Sequence, residues 1–193
     1  MVSSDQILND LKKKLYAPVY FLMGEEPYYI DLISDYIENN VLDESEKGFN
    51  QTVVYGRDVD TQTIISHAKR YPMMSNYQVV IIKEAQNISK IENLQSYFEK
   101  PLKSTLLVFC YKYKSLDKKR TLYKYLDKHH IGMESKKLYD KEIPGWIDKY
   151  MKSLNYTADP KAIMLMSDFL GNDLSKIVNE ISKLIINIPQ GTK

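Results

Sequence analysis

RYPMMSNYQVVIIKE, residues 70–84, joins two segments that require different surroundings. Val79-Val80-Ile81-Ile82 is a continuous β-branched run, the pattern of a strand buried on both faces of a parallel sheet. Ahead of it, Tyr71-Pro72-Met73-Met74 passes into polar Ser75-Asn76. Pro72 has no amide hydrogen and disfavours a helical conformation for the residue before it, so the chain turns here. Met73 and Met74 then fall on a short connection at the edge of the sheet. Two large flexible apolar side chains in such a place either fold under as local core or are offered to a partner. Methionine, unbranched and polarizable, suits the second role. The stretch alone leaves both readings open.

On either side the alternation of strand and helix recurs. Upstream, residues 19–23 (VYFLM) read as a buried strand, broken by Gly24-Glu25-Glu26-Pro27. An amphipathic helix follows from Tyr28, with Ile30, Ile33, Ile37 and Val41 inward. Residues 50–55 (NQTVVY) predict a second strand, and 61–70 a helix with Ile64, Ile65 and Ala68 on one face. Downstream come a helix over 91–99, closed by Lys100-Pro101, and a strand over 104–110. A lysine-rich helix over 118–130 and a fifth strand over 131–135 complete the series. At the N-terminus, Ser4 or Asp5 caps a helix carrying Ile7, Leu8, Leu11 and Leu15, with Lys12-Lys13-Lys14 on its solvated side.

Strands alternating with helices predict an α/β fold, a three-layer, mainly parallel sheet. After about Asp140 the strand patterns stop. Residues 142–154, 159–170 and 173–188 predict three helices, with Asp159-Pro160 as a start signal and Gly171 as a stop. The expected organisation is an α/β domain over 1–140 and a small all-helical domain over 141–193, with a frayed polar tail from 189. The break after the last helix suggests a piece of something longer.

Composition narrows the function. The 193 residues are 44% hydrophobic and 27% charged, with a formal charge of +2, ordinary for a soluble globular protein. Arg57, Arg70 and Arg120 are the only arginines, which argues against bidentate recognition of phosphate or guanine. Cys110 is the only cysteine, so the chain can form neither an internal disulfide nor a cysteine metal site. The N-terminus lacks a signal-peptide core, and no apolar run approaches a membrane span. A cytoplasmic protein with no membrane partner is expected.

An α/β domain followed by helices is the plan of many nucleotide-binding machines, so phosphate chemistry is the first test. A phosphate loop needs GxxxxGK[ST] between the first strand and helix. Gly24 stands in place, but Glu25, Glu26 and Pro27 follow. Two carboxylates there repel a triphosphate, and Pro27 removes an N–H donor. A Walker B strand needs a terminal carboxylate for magnesium; here Val79-Val80-Ile81-Ile82 ends in Lys83-Glu84. ATP hydrolysis is not expected, and neither a cofactor nor a metal is implied.

The histidines (His67, His129 and His130) read as structural or dipole-favouring, and Cys110 as inert core. The lysine-rich helix, read as basic over 112–128, interleaves Lys112, Lys114, Lys118, Lys119, Arg120, Lys124 and Lys128 with Tyr111, Tyr113, Tyr123 and Tyr125. Such a pattern can track a nucleic-acid backbone. Lys118, Lys119, Arg120 and Lys124 are the candidate DNA contacts; the plainer reading is an exposed helix solvated by lysines.

Three stretches carry a family resemblance. YFLMGEEPYYIDLISDYI (residues 20–37) resembles the opening of the delta subunit of the bacterial DNA polymerase III clamp loader, where Tyr-x-x-x-Gly-Glu-Glu replaces the phosphate loop. YPMMSNYQVVIIKEA resembles that family's Pro-hydrophobic-hydrophobic segment and following strand. GNDLSKIVNEISKL resembles its second-domain helix. The resemblance implies an AAA+-type fold without ATPase activity, a non-catalytic chain of the polymerase III holoenzyme. It also implies binding to the ring-shaped sliding clamp (the beta subunit) and opening of one ring interface during DNA replication. Tyr71, Pro72, Met73 and Met74 would form that contact, although leucine or an aromatic is usual where the methionines stand. Other loader subunits, gamma/tau and delta prime, would join through a C-terminal domain beyond this chain, with primed DNA inside the complex. A stand-alone DNA-binding module and a divergent nucleotide hydrolase are the alternative readings.

Overall fold

A computed structural model of the chain describes residues 1–186 and 188, which fall in two compact units, one over 1–136 and one from 137 onward. The first unit is built on five parallel strands: β1 (Val19–Gly24), β2 (Gln51–Tyr55), β3 (Gln78–Lys83), β4 (Thr105–Lys112) and β5 (Ile131–Ser135). Their order across the sheet is β2-β3-β4-β1-β5. Val79, Val80, Ile81 and Ile82 are fully buried, as the β-branched run requires. Successive residues of β3 face opposite sides. Val80 and Ile82 join Phe21, Phe109, Ile64, Phe98 and Leu126 in one core. Val79 and Ile81 join Leu22, Val108, Ile7, Leu11, Ile30, Ile33 and Ile37 in the other. The sheet is therefore the middle of three layers.

The helices of this unit are α1 (Ser4–Lys12), α2 (Pro27–Asn40), α3 (Glu44–Asn50), α4 (Thr61–Ala68), α5 (Gln95–Glu99) and α6 (Thr121–His129). Several bounds differ from the sequence expectation, each for a local reason. Ser3, not Ser4 or Asp5, caps α1, its side chain accepting from the Gln6 N–H. The helix expected over 91–99 opens as a 3-10 turn, Ile91–Leu94, before α5. The strand expected from Asn50 starts at Gln51, because Asn50 closes α3. That helix had no sequence forecast. Its seven residues, ESEKGFN, hold no apolar repeat, and it is set by a capping box in which Asp43 and Glu46 bond each other's backbone. The lysine-rich helix begins only at Thr121, so Lys118, Lys119 and Arg120 lie in the turn ahead of it.

The second unit contains α7 (Ile143–Ser153), α8 (Pro160–Leu170) and α9 (Leu174–Ile185). Asp159 caps α8 by accepting from the Lys161 N–H, with Pro160 at the first helical position. Asp173 caps α9, whose Leu174, Ile177 and Ile181 are buried. The tail expected from 189 lies outside the described residues, as does Asn187.

Candidate functional site

The loop between α4 and β3 exposes its apolar side chains. Tyr71 is 79% exposed, Met73 56% and Met74 98%, while Pro72 is half-buried. Met74 has φ 55°, the left-handed region that a residue with a β-carbon avoids. The loop is nonetheless fastened. The Met73 N–H donates to Asn50 Oδ1 at 2.6 Å, and the Met73 carbonyl accepts from Asn50 Nδ2 at 2.9 Å. Further on, the Tyr77 N–H donates to Ser75 Oγ, which donates back to the Tyr77 carbonyl. Tyr77 packs edge-on against Tyr16 with ring centroids 5.1 Å apart.

At the other end of the sheet, the turn after β1 is closed on itself. Gly24 has φ 139°, and its N–H donates to the Lys114 carbonyl at 3.2 Å. The Glu25 N–H donates to the Ser135 carbonyl at 3.0 Å, and Ser135 Oγ donates to the Glu26 carbonyl. A phosphate cradle works by presenting N–H groups to a ligand. Here two of them are bound by the protein's own carbonyls. The Glu26 side chain is buried and caps α2, accepting from the Tyr28 N–H at 3.0 Å. A carboxylate of the protein thus sits at the helix N-terminus where a nucleotide phosphate would be favoured.

Lys83, at the magnesium-site position of β3, is paired to α2. Its Nζ lies 3.1 Å from Asp35 and 3.2 Å from Glu38. Burial pushes its pKa down, but the two carboxylates outweigh that and hold it above the ordinary lysine value. Lys112, at the end of β4, pairs with Asp31 of the same helix at 2.6 Å. The carboxyl ends of the central strands therefore carry cations already matched to α2.

The sequence profile described as DNA polymerase III, delta subunit, matches residues 20–136, more than half of the chain. The chain belongs to the DNA polymerase III delta subunit family. DNA polymerase III subunit delta of Bacillus subtilis (strain 168) is 30% identical over 188 residues, covering 92% of this chain and 54% of that protein. The solved structure of the Bacillus subtilis DNA clamp loader delta protein matches with TM-score 0.79 at 27% identity, over 97% of this chain and 59% of that one. This delta-family chain thus spans little more than half the length of these relatives. Two Thermotoga maritima structures, a DNA polymerase III gamma subunit-related protein and a RuvB variant, each match with TM-score 0.51. They are 12% and 13% identical, over 95% and 96% of this chain and 61% and 64% of theirs, and share the fold alone. The architecture is the α/β, AAA+-type fold followed by a helical region.

The delta-family chain carries its basic residues less freely than the sequence implied. Lys118 Nζ lies 3.0 Å from Glu134, which raises the lysine's pKa, and Arg120 pairs with Glu92. Lys119 and Lys124 are exposed on the turn and on α6. The basic segment is also not one helix, since Lys112 belongs to β4 and the helix starts at Thr121.

The remaining reactive groups are occupied or buried. His130 Nε2 lies 2.8 Å from the Phe98 carbonyl, to which it can only donate. Burial lowers its pKa, assisted by His129 and opposed by that carbonyl. Cys110 is buried in the sheet, and burial pushes its thiol up to about 11. His67 Nδ1 is buried without a hydrogen-bond partner among the described residues. Among the described residues no group of three or more His, Cys, Asp or Glu side chains could hold a metal ion. No described helix is long and apolar enough to cross a membrane.

Proposed function

We propose that this chain is the clamp-binding part of a clamp-loader delta subunit. It binds the sliding clamp through Tyr71, Pro72, Met73 and Met74, and holds the ring toward its open state without hydrolysing ATP. The observation that carries the reading is Met74, a large apolar side chain held almost wholly in solvent on a fastened loop. A folded chain gains nothing from that arrangement by itself, whereas an interface does. Membership of the delta family and likeness to a protein described as a DNA clamp loader supply the partner class.

Burying two methionines gains about 3–6 kcal/mol before ordering costs, enough for a hot spot within a larger contact. Ring opening then needs only that the loop bind the open clamp more tightly than the closed one. The closed turn at Gly24, Glu25, Glu26 and Pro27 fits a subunit that leaves ATP hydrolysis to its partners. Those partners, gamma/tau and delta prime, would assemble with it around primed DNA in the cytoplasm.

Calorimetry with the sliding clamp of the same organism, without nucleotide, tests the reading. Met73→Ala with Met74→Ala should abolish binding and leave the melting temperature unchanged. Wild-type affinity in that double variant would refute it.

A further inference from the structure

We propose that the C-terminal turn of α3 is a built part of this contact: the Asn50 amide fixes the backbone of Met73, and Phe49 adds a third apolar side chain beside the methionines. The proposal rests on the clamp-binding reading of Met73 and Met74.

Asn50 is 1% exposed. Its Nδ2 donates to the carbonyls of Glu46, at 3.1 Å, and Met73, at 2.9 Å, while Oδ1 accepts from the Met73 N–H at 2.6 Å. A side-chain amide has the donor and acceptor of a peptide group. Asn50 therefore pairs with Met73 as a neighbouring strand would, from a residue 23 positions away. The next residue, Met74, sits in the left-handed region, where a non-glycine residue is strained and its thioether supplies no strong hydrogen bond to compensate. Such a conformation persists only where its surroundings impose it. Asn50 on one side and the Ser75–Tyr77 bonds on the other do so.

Fixing that backbone matters for binding. A methionine side chain loses much rotamer freedom on burial, so the loop contributes affinity only if little else remains to be ordered. Asn50 removes the backbone part of that cost before the partner arrives.

Phe49 is the other half of the device. Consecutive residues of a helix point about 100° apart; Asn50 turns inward to Met73, and Phe49 is left 73% exposed. The bonds of Asn50 bring the Phe49 backbone within about 10 Å of Met73. Phe49, Met73 and Met74 are thus large exposed apolar residues on two segments tied together at one point. Nothing in the short helix needs a phenylalanine in solvent. The occupant that fits is the apolar surface of the clamp that takes the methionines, extended to meet one aromatic ring.

The test is calorimetry of the chain with the sliding clamp for Phe49→Ser, Asn50→Ala, Met74→Ala and the last two combined. Amide hydrogen exchange without clamp accompanies it. Phe49→Ser should weaken binding about tenfold at unchanged melting temperature. Asn50→Ala should weaken binding to a similar degree and speed exchange of the Met73 amide relative to the sheet. Its effect should shrink in the Met74→Ala background, because the two residues act on one contact. Wild-type affinity for Phe49→Ser, or unchanged Met73 exchange in Asn50→Ala, overturns the proposal while the methionine reading stands. Wild-type affinity in Met73→Ala with Met74→Ala overturns both.

Discussion

The Glu25 N–H donates to the Ser135 carbonyl at 3.0 Å, which brings the end of β5 across the turn where a nucleotide's phosphates would lie. The approach is close enough that a β-carbon on Gly24 would come within 1.9 Å of the same carbonyl oxygen. The missing lysine and hydroxyl are therefore not the whole reason for expecting no ATPase. The backbone of the turn is committed to Lys114 and to the end of β5.

Gly24→Ala tests that closure. Both the φ of 139° and the contact with Ser135 are incompatible with a side chain. A loss of at least about 2 kcal/mol is expected, read as the midpoint of chemical denaturation. A neutral substitution would mean that the turn can open.

Magnesium ATP at millimolar concentration should leave the thermal midpoint where it is. A ligand present at a hundred times its dissociation constant would add about 2.7 kcal/mol, a shift of several degrees. Such a shift would show that Glu26 and Ser135 can be displaced from the turn.

The pairing of Lys118 with Glu134 and Arg120 with Glu92 predicts weak, shallow salt dependence for any DNA binding by this chain. Glu92→Gln with Glu134→Gln should release both cations and steepen it. Equal salt slopes for the wild type and this variant, measured by fluorescence anisotropy on duplex DNA, would contradict the prediction.

His130 makes stability depend on pH. Burial lowers its folded pKa below the ordinary value of 6.5, so below that pH the unfolded chain binds the proton first. Stability should be intact above about pH 6.5 and fall as pH drops from there toward the folded pKa. His130→Gln should flatten this part of the profile, leaving the carboxylate titrations further down. Melting scans between pH 7.5 and 5 on both proteins, with the pH values chosen to bracket about 6.5, decide it.

The unforeseen parts of the site share a physical cause. The apolar runs at 79–82, 19–23 and 104–110 were readable because burial on two faces demands continuous β-branched and aromatic residues. The vacant phosphate motif at Gly24 was readable because that chemistry needs particular residues at fixed spacing. Seven residues of ESEKGFN carry no such periodicity, and only the acidic pair Asp43 and Glu46 marked a helix start. Asn50 looked like the first residue of a strand, since nothing local distinguishes an amide that bonds a distant backbone from one facing solvent.

By itself, the sequence determined the α/β alternation, the helical segment after it, the lack of a phosphate-loop motif at Gly24 and the candidate pair Met73 and Met74. Periodicity and motif spacing are local properties, and they survive without knowledge of contacts. Tertiary structure alone decided the strand order β2-β3-β4-β1-β5, the closing of the Gly24 turn by Ser135 and the neutralisation of Lys118 and Arg120. It also decided that the methionines face solvent. The bonds of Asn50 to Met73, 23 residues away, are a long-range pairing of the same kind, one that forms only once the chain has folded.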